Sequence, residues 1–193
     1  MISQQRTKPY TKKGLWSLFL ITAFPIHLWT IILVFDDFAW VADRTEVWDA
    51  AGVGAYGLLY AFIESLVAFA IVVLLGFLLP RRWSQERRLG ALSVGILGTA
   101  LCAILAQRNF LPKLGVAQAL GPLLLRSGHP LWILYGLAIV LIGLLVILPA
   151  YLVSSSRRLT LWTSKLVDRL SLLTTFYLLF DLVALVIVIG RNL

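Results

Sequence analysis

Three ionisable side chains, His27, Glu64 and Asp181, stand inside otherwise apolar stretches of this sequence. Glu64 lies in LLYAFIESLVAF, residues 58–69, where it is the one residue unsuited to an apolar environment. An ionisable residue at the centre of a membrane-spanning helix costs roughly 2.5–3.5 kcal/mol on insertion scales. Side chains of these types can hold and pass protons, or bind a polar group of a substrate. Their presence in apolar stretches therefore requires an explanation.

The three residues lie at similar depths in their predicted helices. With a rise of about 1.5 Å per residue, each falls within roughly 5 Å of the centre of its helix, displaced toward the same side. Each also shares a helix face with small or polar residues. These faces predict one shared proton network inside the bundle, with Glu64 or Asp181 protonated or paired to His27. The predicted substrate- or proton-binding residues are His27, Glu64, Asp181, Tyr60, Tyr177 and Ser65.

Other roles for these residues stay open. They could form a purely structural polar core, since hydrogen bonds between membrane helices contribute about 0.6–2 kcal/mol each. In a catalytic role, Ser65 would be a nucleophile beside His27 and Asp181. A triad is defined by geometry, however, and three residues on separate helices do not establish one. One histidine with two carboxylates suits iron or zinc poorly without a second strong nitrogen ligand. The sequence also has no CxxC, HExxH, P-loop or GxGxxG motif. We expect no enzymatic activity, catalytic residue, cofactor or metal site.

The composition is that of a membrane protein. Of 193 residues, 60% are hydrophobic and only 13% are charged, whereas soluble domains carry about 25% charged residues. We therefore predict a single integral-membrane domain over residues 1–193. Cys102 is the only cysteine, so an intrachain disulfide is excluded.

Five apolar segments are long enough to cross a bilayer, which takes about 20 residues. Backbone polar groups must be paired in lipid, so each segment is predicted to be helical. The sequence therefore predicts an all-α, polytopic bundle of five transmembrane helices. The predicted spans are 14–35, 54–79, 89–106, 131–153 and 170–189.

Basic residues predict the orientation of this bundle. The N-terminal segment, the second-to-third loop and the fourth-to-fifth loop carry four Lys or Arg each, twelve of the seventeen in the chain. Because such loops are retained on the cytoplasmic side, we predict the N-terminus inside and the C-terminus outside, in the cell membrane. The net charge of +8 is thus a topology signal, with anionic headgroups as its natural partner. Membrane lipids are the expected partners, with other membrane subunits or self-association open and nucleic acid excluded.

The outer connections and the third span carry further patterns. Residues 36–54, DDFAWVADRTEVWDAAGVG, predict a short amphipathic helix at the interface, and residues 107–130 a second one or a re-entrant segment. On the third span, small residues recur every three or four positions, which predicts close packing at the centre of the bundle. These residues are Ala91, Gly95, Gly98, Cys102 and Ala106. Gly54, Gly57 and Ala61 predict close packing of the second span.

Two functions fit this architecture. The first is a small transporter or proton- or ion-coupled carrier with a buried His/Glu/Asp centre. The second is a non-catalytic subunit or scaffold of a larger membrane complex, since nearly all of the chain is embedded. A cavity reaching Glu64 would favour the carrier, and a solid core with a flat apolar flank would favour the subunit.

Overall fold

The computed structural model describes residues 10–80, 82–110, 121–122 and 124–193. Five long helices dominate this part of the chain, and each is long and apolar enough to cross a membrane. The predicted all-α bundle is therefore confirmed, and its five long apolar helices are compatible with a multi-pass membrane protein. The helices are α1 (Lys12–Ala42), α2 (Val47–Leu78), α3 (Gln85–Phe110), α4 (Pro130–Ser155) and α5 (Arg157–Asn192).

The first two helices extend well beyond their predicted spans. Thr11 caps α1 by accepting from the N–H of Gly14, and the helix continues through Asp36 and Asp37 to Ala42. After a short turn, α2 begins at Val47. The segment predicted as a separate interfacial helix thus forms the end of α1 and the start of α2. No glycine or proline interrupts residues 26–51, so nothing in this stretch forces a break near Asp36. Residues 107–110 belong to α3, and positions 111–120 and 123 lie outside the described residues, so the prediction for 107–130 stays a prediction.

Packing divides the helices into a dense group and a peripheral one. Helix α1 contacts α2, α3 and α5, and it has the largest buried fraction of the five spans. Leu18 and Ile21 of α1 form a core cluster with Val167 of α5. Helices α3 and α5 each contact all four others, whereas α4 contacts only those two. The predicted interior position of α3 is confirmed by its contacts, although α1 contains more buried residues than any other of the five helices.

Glycines mark two close helix approaches. A β-carbon at Gly54 of α2 would lie 3.0 Å from Cγ1 of Val34 on α1, as expected for closely packed spans. A β-carbon at Gly98 of α3 would collide with the carbonyl oxygen of Leu145, in a π-helical stretch of α4 at Gly143–Ile147. Gly95 has no atom within 4 Å of its β position. The prediction that this residue contacts a neighbouring helix is wrong, because α4 approaches α3 one turn further along.

The two ends of the bundle differ in charge. Helices α1, α3 and α5 begin at one end, which we call the basic end because the predicted basic segments lie there. The predicted fourth-to-fifth loop is wrong, because Arg157, Arg158, Lys165 and Arg169 belong to α5, which begins well before the predicted span 170–189. Gln85 of α3 donates to Thr11 before α1 there, at 2.6 Å. At the opposite end, Arg191 of α5 donates to the carboxylate of Asp49 at 2.7 Å and to the carbonyl of Trp48 on α2. Which side of the membrane each end faces stays a prediction.

Candidate polar site in the helical bundle

His27 and Asp181 form a buried hydrogen-bonded pair between α1 and α5. Nε2 of His27 lies 2.9 Å from Oδ2 of Asp181. The histidine is completely buried, and Asp181 is 6% exposed. The two residues are 154 positions apart in the chain, so this contact depends on the packing of α1 against α5. Two of the three predicted ionisable residues are thus brought together.

The second ring nitrogen of His27 restricts where its protons lie. Nδ1 is 2.9 Å from the carbonyl oxygen of Ala23, one helical turn earlier. A carbonyl oxygen only accepts hydrogen bonds, so Nδ1 is assigned as the protonated donor. Nε2 then faces the carboxyl of Asp181 either as a second donor or as an acceptor.

One further proton therefore lies between Nε2 and Oδ2. On the nitrogen, it makes an imidazolium paired with a carboxylate. On the oxygen, it makes a neutral imidazole that accepts from a carboxylic acid. The pair has no net charge in either arrangement, which suits an interior from which water is excluded. Transfer of a proton over a 2.9 Å contact interconverts the two states.

The other carboxyl oxygen of Asp181 has no such partner. Oδ1 is buried and makes no hydrogen bond to any described residue. Thr174, the buried polar residue two turns earlier on α5, directs its hydroxyl to the carbonyl of Leu170 at 2.8 Å. A buried acceptor without a donor costs about 1–3 kcal/mol. Oδ1 is thus an acceptor for a proton or for a donor group.

Ser65 of α2 lies beside the histidine but is poorly placed for nucleophilic chemistry. Its hydroxyl is completely buried and donates to the carbonyl of Ala61 at 2.7 Å. The distance from its Oγ to Nδ1 of His27 is 3.4 Å. Because Nδ1 already carries a proton directed at Ala23, it cannot take one from the serine. The contact is a weak second branch of the Nδ1–H bond, and the geometry lacks the base that a triad requires.

Glu64 is separated from this pair, although it is the residue next to Ser65. The side chain is exposed and hydrogen-bonds to neither His27 nor Asp181 among the described residues. Consecutive helix residues project about 100° apart. Because Ser65 points into the bundle, the side chain of Glu64 points away from the bundle interior. The single predicted network of three ionisable residues is thus divided in the structure.

Glu64 instead lines a groove of about 180 Å³ between α1, α2 and α3. Two of its lining residues are joined by a 2.8 Å hydrogen bond from the indole of Trp29 to the side-chain oxygen of Gln107. This pair was missed by the sequence analysis, although a glutamine near the end of an apolar helix was an available signal. The groove is lined by Pro25, Ile26, Trp29, Thr30, Glu64, Ala100, Ala103, Ile104 and Gln107.

The two predicted tyrosines lie apart from the pair. Tyr60 is 65% exposed on the outer face of α2. Tyr177 of α5 is half-buried and stacks on Phe24 of α1, with ring centroids 6.2 Å apart. Neither hydroxyl hydrogen-bonds to His27 or Asp181 within the described part of the chain. Of the six predicted site residues, the structure therefore joins His27, Asp181 and Ser65.

A second cavity, of about 260 Å³, lies between α1, α2 and α5 toward the end opposite the basic end, and its lining is apolar. Its residues include Phe180 and Ala184, which flank Asp181 on α5, and Ile31, one turn beyond His27 on α1. Neither His27 nor Asp181 lines the groove or the cavity, but residues next to each of them in the sequence do.

Within the ranges that the structure describes, no group of three His, Cys, Asp or Glu side chains could hold a metal ion. Comparisons with family models, curated proteins and solved structures find no match to this chain. The chemistry of the site therefore follows from its geometry alone.

Proposed function

We propose that this protein is a small multi-pass carrier of the cell membrane that moves protons, alone or coupled to another solute, through the His27–Asp181 pair. The observation that carries this proposal is the buried, charge-neutral pair with a free acceptor at Oδ1 of Asp181. Such a pair can exist in two proton arrangements at the same net charge. In this proposal, a proton arriving at Oδ1 makes the pair positively charged, and the pair becomes neutral again when a carboxyl proton passes to Nε2 and His27 releases its Nδ1 proton on the side of Ala23 and Ser65.

The cavities beside the pair support a route to it. Pro25 and Ile26, which precede His27, line the groove that contains Glu64. Phe180 and Ala184, on either side of Asp181, line the apolar cavity. Helices α1 and α5 meet at the His27–Asp181 pair. In this proposal, a small movement of α1 against α5 connects the pair either to the groove or to the apolar cavity. Carboxylates facing such cavities are typical of proton relays in membrane proteins.

In this proposal Glu64 collects protons or cations in the groove and does not belong to the buried centre. Its carboxylate is near two polar groups, Trp29 and Gln107, which already bond to one another. The Glu64 carboxyl therefore remains available to exchange protons with the groove.

The test is proton flux in liposomes that contain the purified chain and a trapped pH-sensitive dye, with the membrane potential clamped by a potassium ionophore. Wild-type vesicles are expected to dissipate an imposed pH gradient faster than empty ones. Asp181→Asn keeps the size of the side chain but cannot carry a proton, so its flux should fall to the level of empty vesicles. Glu64→Gln should slow the flux without unfolding the chain.

Asp168→Asn is the matched control, since it makes the same change on the same helix at an exposed position. This variant should conduct like wild type. Helix content and gel-filtration behaviour in detergent establish that each variant is folded. Wild-type vesicles no more permeable than empty ones would refute movement of protons alone. Undiminished flux in Asp181→Asn would refute the proposal.

One observation favours a second function, that of a non-catalytic subunit in a membrane complex. Among the described residues, none of the most apolar window of α4 is buried, and α3 and α5 are the helices that α4 contacts. An additional membrane helix could pack on this flank. Co-purification of a fixed partner in mild detergent, together with absence of flux from the isolated chain, would support the subunit over the carrier.

A further inference from the structure

Arg88 is buried at the basic end of the bundle, in the first turn of α3. Its exposed fraction is 6%. One terminal nitrogen, Nη2, donates to the carbonyl of Pro80 at 3.0 Å, just beyond the end of α2. Nε is buried and has no hydrogen-bond partner among the described residues. A guanidinium has five N–H donors in a rigid fork, and here only one bond between described residues is made.

No carboxylate of the chain neutralises this guanidinium. All nine Asp and Glu residues fall within the described residues. The ion pairs found there are His27–Asp181 and Arg191–Asp49, so Arg88 is in neither. Glu86 is close in sequence, but residues two apart point to opposite sides of a helix. The negative end of the α2 dipole at Pro80 offsets the charge only partly.

The surroundings of Arg88 attract anions. The N-termini of α1, α3 and α5 lie at this end, and each contributes a partial positive charge. Lys12 and Lys13 begin α1 here. Tyr10 precedes α1 at the same end, and its hydroxyl lies against Val73 and Gly76 of α2. Burial raises the pKa of this hydroxyl, although the positive charge of Arg88 opposes the shift. The hydroxyl therefore keeps its proton at neutral pH and is a donor. Its bond to the carbonyl of Val73 is long, at 3.5 Å.

We propose that Arg88 is a phosphate-binding residue, with the headgroup of a membrane phospholipid as the ligand and the Tyr10 hydroxyl as a second donor. Phosphate oxygens match the fork of a guanidinium, which can present Nε and a terminal nitrogen together. The site lies where apolar helices end, and phospholipid phosphates occupy that depth in a bilayer. Inorganic phosphate would present the same oxygens from solution. This site lies at the basic end of the bundle, away from Asp181. It does not depend on the carrier proposal.

The test compares thermal unfolding midpoints of the full chain in a neutral detergent with three additives. These are phosphatidylglycerol, a diacylglycerol with the same acyl chains but no phosphate, and inorganic phosphate at matched ionic strength. Phosphatidylglycerol should raise the wild-type midpoint more than diacylglycerol does. Arg88→Gln should lose this additional shift. Arg82→Gln removes the same charge from an exposed position at the same end and should keep it.

The outcomes separate the two sources of phosphate. An Arg88-dependent shift with phosphatidylglycerol alone identifies the lipid headgroup. The same shift with inorganic phosphate supports the site and assigns it to a free anion. Equal shifts in Arg88→Gln and wild type, or no shift with either phosphate probe, would overturn the proposal.

Should Arg88→Gln fail to fold, Arg88→Lys is the second variant, because it keeps the charge but removes the Nε donor. It should show a much smaller lipid-induced shift, and a full wild-type shift would overturn the proposal.

Discussion

Gly98 of α3 faces the backbone carbonyl of Leu145 on α4 with no room for a β-carbon between them. This is a close backbone approach of α3 to the peripheral helix α4, and it falls in the π-helical stretch of α4. Gly95, less than one turn away, has open space at the same position. A larger side chain thus fits at Gly95 but not at Gly98, although both glycines belong to the predicted stripe of small residues on α3.

Gly98→Ala is therefore expected to destabilise the bundle by about 1–3 kcal/mol, because the added methyl meets backbone that cannot turn aside. Gly95→Ala is the control and should cost nothing. Unfolding in a denaturing-detergent titration measures both. Equal stability of the two variants would show that α4 does not pack on α3 at Gly98.

Substitutions at Asp181 should show how much its hydrogen bond to His27 contributes to the stability of the bundle. Asp181→Leu leaves Nε2 of His27 without a partner and should cost about 1–3 kcal/mol. Asp181→Asn retains a group that can bond to Nε2 and should cost much less. The same unfolding titration measures both, and Glu64→Leu should be close to neutral because the side chain is exposed. A large cost at Glu64 with none at Asp181 would contradict the observed pair.

The contact between Arg191 and Asp49 should contribute little, because its side chains are partly exposed. A double-mutant cycle with Arg191→Gln and Asp49→Asn is expected to give a coupling of about 0.2–1 kcal/mol, lower at high salt. Asp37→Asn in place of Asp49→Asn is the control, since Asp37 is exposed at the same end. That pair should be additive within about 0.3–0.5 kcal/mol. Absence of coupling at low salt would refute the contact.

Thiol labelling tests the predicted orientation. In a Cys102→Ala background, Asp43→Cys should react with an impermeant thiol reagent in intact cells, whereas Ser84→Cys should be protected. Both positions are exposed in the structure, so a difference in labelling reports the side of the membrane. The reverse pattern would place the N-terminus outside.

Hydropathy was sufficient to predict the five helices, because lipid forces every spanning segment into one secondary structure. Depth and helix face were sufficient to bring His27 and Asp181 together. The same reasoning did not separate Glu64 from Ser65. The predicted polar face of α2 was broad enough to include both, and only the neighbouring helices determine which of two adjacent side chains points inward.

The helix ends and the basic loops were less predictable. Asp36 and Asp37 suggested the end of a span, but exposed carboxylates are compatible with a helix that continues to Ala42. Arg88 was counted only as one of twelve charges that predict orientation. Its burial depends on where α2 ends and on the position of Pro80 relative to α3, and neither is encoded in the local sequence around Arg88.

The π-helical stretch at Gly143–Ile147 gives α4 a different angular register before and after it. Each π turn holds more residues than an α turn, so residues beyond Leu148 are rotated relative to a continuous α-helix. A helical wheel drawn over the whole of α4 from its sequence would therefore assign the wrong faces to one half. The stretch is also where a one-residue deletion could be absorbed, by conversion to regular α-helix, while Pro130 and Ser155 keep their neighbours.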